Sequence, residues 1–241
     1  MKKLYSKGEE IFNGVSHIVG ASLGIIFLVI LILAGVNNDI DGLGIFSLIV
    51  FGVSMIILYT MSSLYHMISH TKAKKVFRVF DHLSIFILIA GTYTPYILLA
   101  LRNIYGYVVL GFVWVLGIIG IIFNSINMHN KIVKIYSYIA YVLMGWCIIF
   151  ICPLLLEALS TLEFLFLLLG GIAYTLGLIF YFGGSKFKWW HSVWHLFDLL
   201  GTIFQFISLL LIVTKPCRKR PRKLAPTLPR PRNWAMKWLT N

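Results

Sequence analysis

Residues 106–124 read GYVVLGFVWVLGIIGIIFN, a run with no charged side chain. It is about as long as the ~20 residues a helix needs to cross a bilayer. Its apolar residues are continuous instead of alternating with polar ones, which excludes a transmembrane β-barrel strand. Six further stretches of the same kind fall near 16–36, 43–66, 82–101, 132–152, 164–182 and 191–213. Short polar connections separate them, as antiparallel neighbouring helices require. Glycines such as Gly20, Gly24, Gly117, Gly170 and Gly171 lie within the runs and suit close helix contact in lipid. The sequence predicts an all-α fold: a polytopic membrane protein built as a seven-transmembrane helix bundle over residues 1–214.

Composition agrees. Apolar residues make up 59% of the 241 positions and charged ones 12%, too apolar a balance for a soluble domain. The net charge of +13 divides unevenly, because nine of the 21 Lys and Arg lie after residue 214. The remaining 12 basic residues face 8 acidic ones, so the body is only mildly basic and no nucleic-acid partner is expected. Three cysteines without a CxxC pair exclude a disulfide framework, and Cys147 and Cys152 read as small apolar residues in lipid.

Lys and Arg set the orientation. Eleven of them (Lys2, Lys3, Lys7, Lys72, Lys74, Lys75, Arg78, Lys131, Lys134, Lys186, Lys188) fall on one side of the predicted bundle. The opposite connections carry Arg102 with Asp39, Asp41, Glu157 and Glu163. The expectation is a multi-pass plasma-membrane protein with its N-terminus in the cytoplasm and its C-terminus outside, the first run serving as a retained signal anchor. Residues 215–241 hold nine basic residues and five prolines and are expected to be disordered. A frameshift remnant or other added segment is the favoured reading of this tail over a strain-specific extension, and no function is assigned to it.

With this topology the ionisable residues converge. His191 and His195 stand four apart in HSVWH, one turn apart on one helix face at the start of the last span. Ser62 and His66 close the second span, Asp81 and His82 open the third, and His17 opens the first. All lie at the end of the bundle that carries the N-terminus. Polar side chains at such depth are costly and mark function. His66, His191 and His195 supply three imidazole ligands and leave a fourth position open, the pattern of a catalytic zinc. Zinc lowers the pKa of bound water to roughly 7. Asp81 could hold and deprotonate that water, and Ser62 could donate to a developing oxyanion.

Other residues carry blander expectations. His82 is expected to face away from Asp81 in a structural role, and His70 and His129 to be solvated. His17 either lines the site or secures the first helix through Asn13 and Ser16. Asp198, three residues beyond His195, is read chiefly as a protonated carboxyl hydrogen-bonded to a neighbouring helix, with orientation of a ligand histidine as the alternative. Gln205 is expected to make interhelical hydrogen bonds, and Pro95 in GTYTP to kink the third helix.

Taken together, NGVSHIVG (13–20), SSLYH (62–66), Asp81 with its GTYTP continuation, and HSVWHLF (191–197) resemble the hemolysin III family. That family is the bacterial branch of the progestin and adipoQ receptors, related to adiponectin receptors and alkaline ceramidases. The resemblance covers roughly residues 9–213. It implies a cytoplasmic-side zinc site in which Ser62 and His66 match the SxxxH element, Asp81 the water-holding aspartate, and His191 and His195 the HxxxH element. By analogy with the amide-hydrolase activity of relatives, it also implies a zinc-dependent hydrolase of lipid amide or ester bonds, with membrane lipids as partners. Asp198 departs from the family pattern, where an apolar residue is usual. Three alternatives accompany this expectation: a pore-forming cytolysin, a non-catalytic sensor of lipid or membrane state with a structural zinc, and a non-haem iron site with Asp81 as a ligand.

Overall fold

The computed structural model describes residues 5–184 and 186–215. The predicted tail, apart from Lys215, lies outside the described residues. Side-chain caps start most of the helices. Ser6 and Glu9 form a reciprocal capping box at the head of α1 (Lys7–Asn37). Asp41 caps α2 (Gly42–Met67), His70 caps α3 (Thr71–Pro95), Asn103 caps α4 (Ile104–Asn127) and Asn130 caps α5 (Lys131–Trp146). A short helix, α6 (Cys152–Ala158), follows α5 through a 3₁₀ turn over Cys147–Ile151. Ser160 and Glu163 repeat the capping box at α7 (Thr161–Gly183), and α8 (Trp190–Thr214) ends the described chain.

Seven of these units are long and apolar enough to span a membrane, α3 with its C-terminal extension and α5–α6 each counting as one. The expected all-α architecture is therefore present. Two spans are less regular than their sequence runs. Pro95 has no N–H to offer Gly91, and the chain passes it as one turn of π-helix over Tyr96–Ala100. Pro153, in the first turn of α6, imposes a similar break in the fifth span.

Sequence neighbours pack side by side, and α8 closes the bundle by lying against both α7 and α1. The outward face is apolar, with Ile26, Val29 and Leu33 on α1 and Val108, Phe112 and Val115 on α4 all exposed, as lipid requires. Polar groups turn inward and pair across helices, because lipid offers no alternative partner. Tyr96 donates to Gln205 Oε1 at 2.7 Å, and Gln205 Nε2 donates to the Leu167 carbonyl at 3.2 Å, the interhelical bonds expected of that glutamine. Tyr59 and Tyr174 both meet the Thr202 hydroxyl. At the end opposite the N-terminus, Arg102 makes a forked ion pair with Asp41 that ties two connections together. The Asp41 carboxylate holds the Arg102 guanidinium above its ordinary range, so the pair stays charged.

α1 and α3 begin well before their apolar runs, and the reason is local. The polar first turns of α1 (Glu9, Glu10, Asn13) and of α3 are helical through their caps, not through hydrophobic periodicity. Those extra turns carry side chains into the site.

Candidate metal centre

Two helices deliver the three histidines. His66 stands in the last turn of α2, and His191 and His195 occupy successive turns at the head of α8. All three are buried, and one ring nitrogen from each lies within 4.8 Å of the others. His191 Nε2 and His195 Nε2 are 3.1 Å apart. Two ligands of a tetrahedral zinc, at ~2.05 Å each, stand roughly 3.3 Å apart, so this pair already has the required spacing. His66 Nε2 has no hydrogen-bond partner, although it is buried. An orphaned buried nitrogen aimed among two others is what a cation would satisfy. The donor set fits a metal ion, and imidazole ligands suit several first-row metals, zinc, copper, iron and nickel among them.

Around the cluster stands a ring of partners. Glu10 Oε2 accepts from His66 Nδ1–H at 2.7 Å, leaving Nε2 as the free nitrogen. Lys74 Nζ meets the other Glu10 oxygen at 3.0 Å and fixes the carboxylate in turn. Tyr5 stacks on His191 with ring centres 4.7 Å apart. Burial pushes the Tyr5 phenol above its usual range, so it covers the site as a neutral ring. Glu9 Oε1 accepts from the Trp189 N–H at 2.7 Å, which holds Trp189 in the left-handed conformation (φ 67°) that starts α8. Ser192 donates to Asn13 Oδ1 at 2.7 Å, a second clasp between α1 and α8.

The remaining predicted residues are gathered here too. Ser62, Asp81, His17, His191, His195 and Asp198 all line one small pocket of about 10 Å³, roughly the room one water needs. His66 flanks this pocket, its ring centre 5.0 Å from that of His195. His17 lines the site, stacking on His195 at 3.7 Å between centres. His82 differs from its expected placement: it lines the same pocket, with Nδ1 3.8 Å from Asp81 Oδ2, because both residues sit where α3 faces into the bundle. Asp198 also differs. Its carboxyl stands 3.9 Å from His17 Nε2, beyond hydrogen-bond range, and the backbone carbonyl accepts from Tyr59 instead. His70 and His129 are exposed, as expected.

A second, larger cavity of about 180 Å³ adjoins the pocket and shares Leu58, Ile85, Trp194 and Asp198 with it. Its wall is mostly apolar and draws on α2, α3, α5, α7 and α8.

Seven membrane-length helices enclosing a buried three-histidine cluster define a class, a polytopic membrane protein able to hold a metal ion near one end of its bundle. Comparison with known proteins gives the family. The family model described as "Haemolysin-III related" matches residues 5–206, and the chain belongs to that family. It is 41% identical over 205 residues to Hemolysin-3 of Bacillus cereus, covering 85% of this chain and 92% of that one. The Hemolysin-3 homolog of Bacillus subtilis (strain 168) is 38% identical over 212 residues, with 88% and 98% coverage. A more distant likeness, 24% over 166 residues (66% and 67% coverage), is to the human monocyte to macrophage differentiation factor. No solved structure matches the chain.

Proposed function

We propose that this protein is an integral membrane zinc hydrolase acting on an amide or ester bond of a membrane lipid, with its site facing the cytoplasm. One observation carries the proposal: a metal-competent histidine cluster shares a water-sized polar pocket with a carboxylate and a hydroxyl, and that pocket adjoins an apolar cavity. The positive-inside bias supports the orientation, since Lys72, Lys74, Arg78, Lys131, Lys134, Lys186 and Lys188 lie at the same end as the cluster.

His66, His191 and His195 would hold the zinc, which when bound would supply a Lewis acid for a carbonyl and for water. The chain's own groups do the rest. The apolar cavity takes the lipid chain and brings its carbonyl to the polar pocket. Asp81 holds a water and accepts its proton as the water oxygen adds to the carbonyl carbon. Ser62 donates a hydrogen bond to the carbonyl oxygen as charge develops there. The C–N or C–O bond then breaks, and the proton passes from Asp81 to the departing amine or alcohol. A carboxylic acid and an amine or alcohol are the products.

The name of the Bacillus relatives, Hemolysin-3, suggests a haemolytic activity for those proteins, and a pore is one physical route to lysis. A water-filled pore needs a polar stripe along its length, and the cavity wall here is mostly apolar. The deciding experiment incubates purified, metal-assayed protein with N-acyl and O-acyl lipids and measures released fatty acid by mass spectrometry. Release from at least one lipid supports hydrolysis. Metal-replete protein that releases none, or that makes liposomes leak without turnover, overturns it.

Glu10 gives a further expected result. Because it fixes the His66 tautomer and ring, Glu10→Ala is expected to weaken zinc affinity about 10- to 100-fold while the protein stays folded. Competition with a chromophoric chelator reads this directly, and an unchanged affinity removes Glu10 from the site.

A further inference from the structure

We infer that Asp198 selects the substrate, favouring lipids whose acyl chain carries a hydroxyl group close to the carbonyl. The inference rests on the lipid-hydrolase reading and adds a substrate class to it.

Among the described residues lining the larger cavity Asp198 is the only carboxylate, and it also lines the polar pocket at the histidines. Asp198 therefore belongs to the wall the two spaces share. Its carboxyl is buried, and among the described residues no group hydrogen-bonds to it, His17 Nε2 at 3.9 Å being too far. Neighbouring polar groups are already engaged. Gln205 is held by Tyr96 and the Leu167 carbonyl, and the Thr202 hydroxyl by Tyr174, Tyr59 and the Asp198 carbonyl. A buried carboxyl with unused acceptor capacity carries a desolvation cost that a donor from the ligand would offset.

The position along α8 says which part of the ligand that donor belongs to. Asp198 lies three residues deeper than His195, a rise of about 4.5 Å along the helix. A lipid carbonyl at the histidines, with its chain running into the apolar cavity, brings the first few chain carbons past Asp198. An N–H or O–H on the headgroup side of the carbonyl points the other way, towards the polar end. A hydroxyl on the second or third acyl carbon is the donor that meets this carboxyl. Any hydrogen-bonding site of this kind disfavours the analogue lacking the hydroxyl, because the carboxyl is then buried without a partner.

The test uses matched pairs, an N-hexadecanoyl amide against its 3-hydroxyhexadecanoyl and 2-hydroxyhexadecanoyl counterparts. It is run on the full protein in detergent or nanodiscs with two readouts, fatty acid release and equilibrium binding of the corresponding free acids. Wild type is expected to prefer one of the hydroxylated ligands by about 10-fold or more, in kcat/KM and in Kd. In Asp198→Val that ratio falls toward one, and Asp198→Asn, which keeps an acceptor oxygen, retains part of it. Ratios compare ligands on the same preparation, so loss of folded protein does not imitate the effect. A hydroxyl preference in binding without turnover of any lipid sinks the hydrolase reading and leaves the role of Asp198 standing. Turnover with equal preference in wild type and Asp198→Val does the reverse. Absence of any hydroxyl preference in wild type, in either readout, overturns the inference.

Discussion

His191→Ala protein, purified without added chelator, is expected to carry zinc only at background, against about one ion per chain in the wild type. His191 supplies one of three buried ring nitrogens that lie within 4.8 Å of one another, and its Nε2 is the one already at ligand spacing from His195. Loss of an outer partner of a metal ligand costs roughly 10–100-fold in affinity, and loss of a ligand itself exceeds that. His66→Ala is expected to behave alike, because its Nε2 is the orphaned atom the ion would satisfy. His129→Ala serves as control: that residue is exposed in the connection between α4 and α5, so zinc content stays at the wild-type level. A second readout separates metal loss from misfolding. A ligand that binds only the folded state raises its melting temperature, so zinc is expected to stabilise wild type and His129→Ala but not His191→Ala. Wild-type zinc content in both His66→Ala and His191→Ala removes the metal centre from the protein altogether.

The parts of this molecule that the sequence made legible are those governed by one-dimensional patterns. Runs such as 106–124 declare a membrane helix through length and hydrophobicity alone, and counting them fixes which residues share an end of the bundle. That parity is enough to bring His66, Asp81 and the His191–His195 pair to one place, although 125 positions separate His66 from His191. What stayed hidden depends on side-chain direction or on polar segments without periodicity. The nine residues by which α1 precedes its apolar run include Glu9 and Glu10, whose partners are 180 and 56 residues away. A signal for that extra helix did exist in the SxxE pattern of Ser6 and Glu9, a capping box that extends the helix to the site. No comparable signal exists for Asp198. Its place on the correct helix face is periodic, yet whether its carboxyl bonds to α1 or faces a cavity is decided by packing. His82 teaches the same point, since a residue adjacent to Asp81 can share its pocket where the helix faces inward.

Asp81→Asn is expected to lower turnover of a lipid substrate by roughly 10²–10⁴-fold while zinc content stays unchanged. Asparagine keeps the size and one acceptor oxygen of aspartate, so the water-sized pocket it lines with Ser62, His191 and His195 keeps its shape. It cannot accept the proton that the attacking water must lose. The side chain makes no hydrogen bond among the described residues, His82 Nδ1 standing 3.8 Å away, so little structural support is removed with the charge. Single-turnover kinetics with metal-loaded variant and wild type distinguish this from a binding defect, because Kd for the lipid changes little when the lost group acts on water. The metal measurement on the same preparation decides between two roles for the carboxylate. Activity lost with metal retained makes Asp81 the proton acceptor. Activity and metal lost together make it a direct ligand, completing with two histidines the facial set that favours iron over zinc. The cluster of three mutually close imidazoles, which does not need Asp81 to reach three ligands, argues for the first outcome.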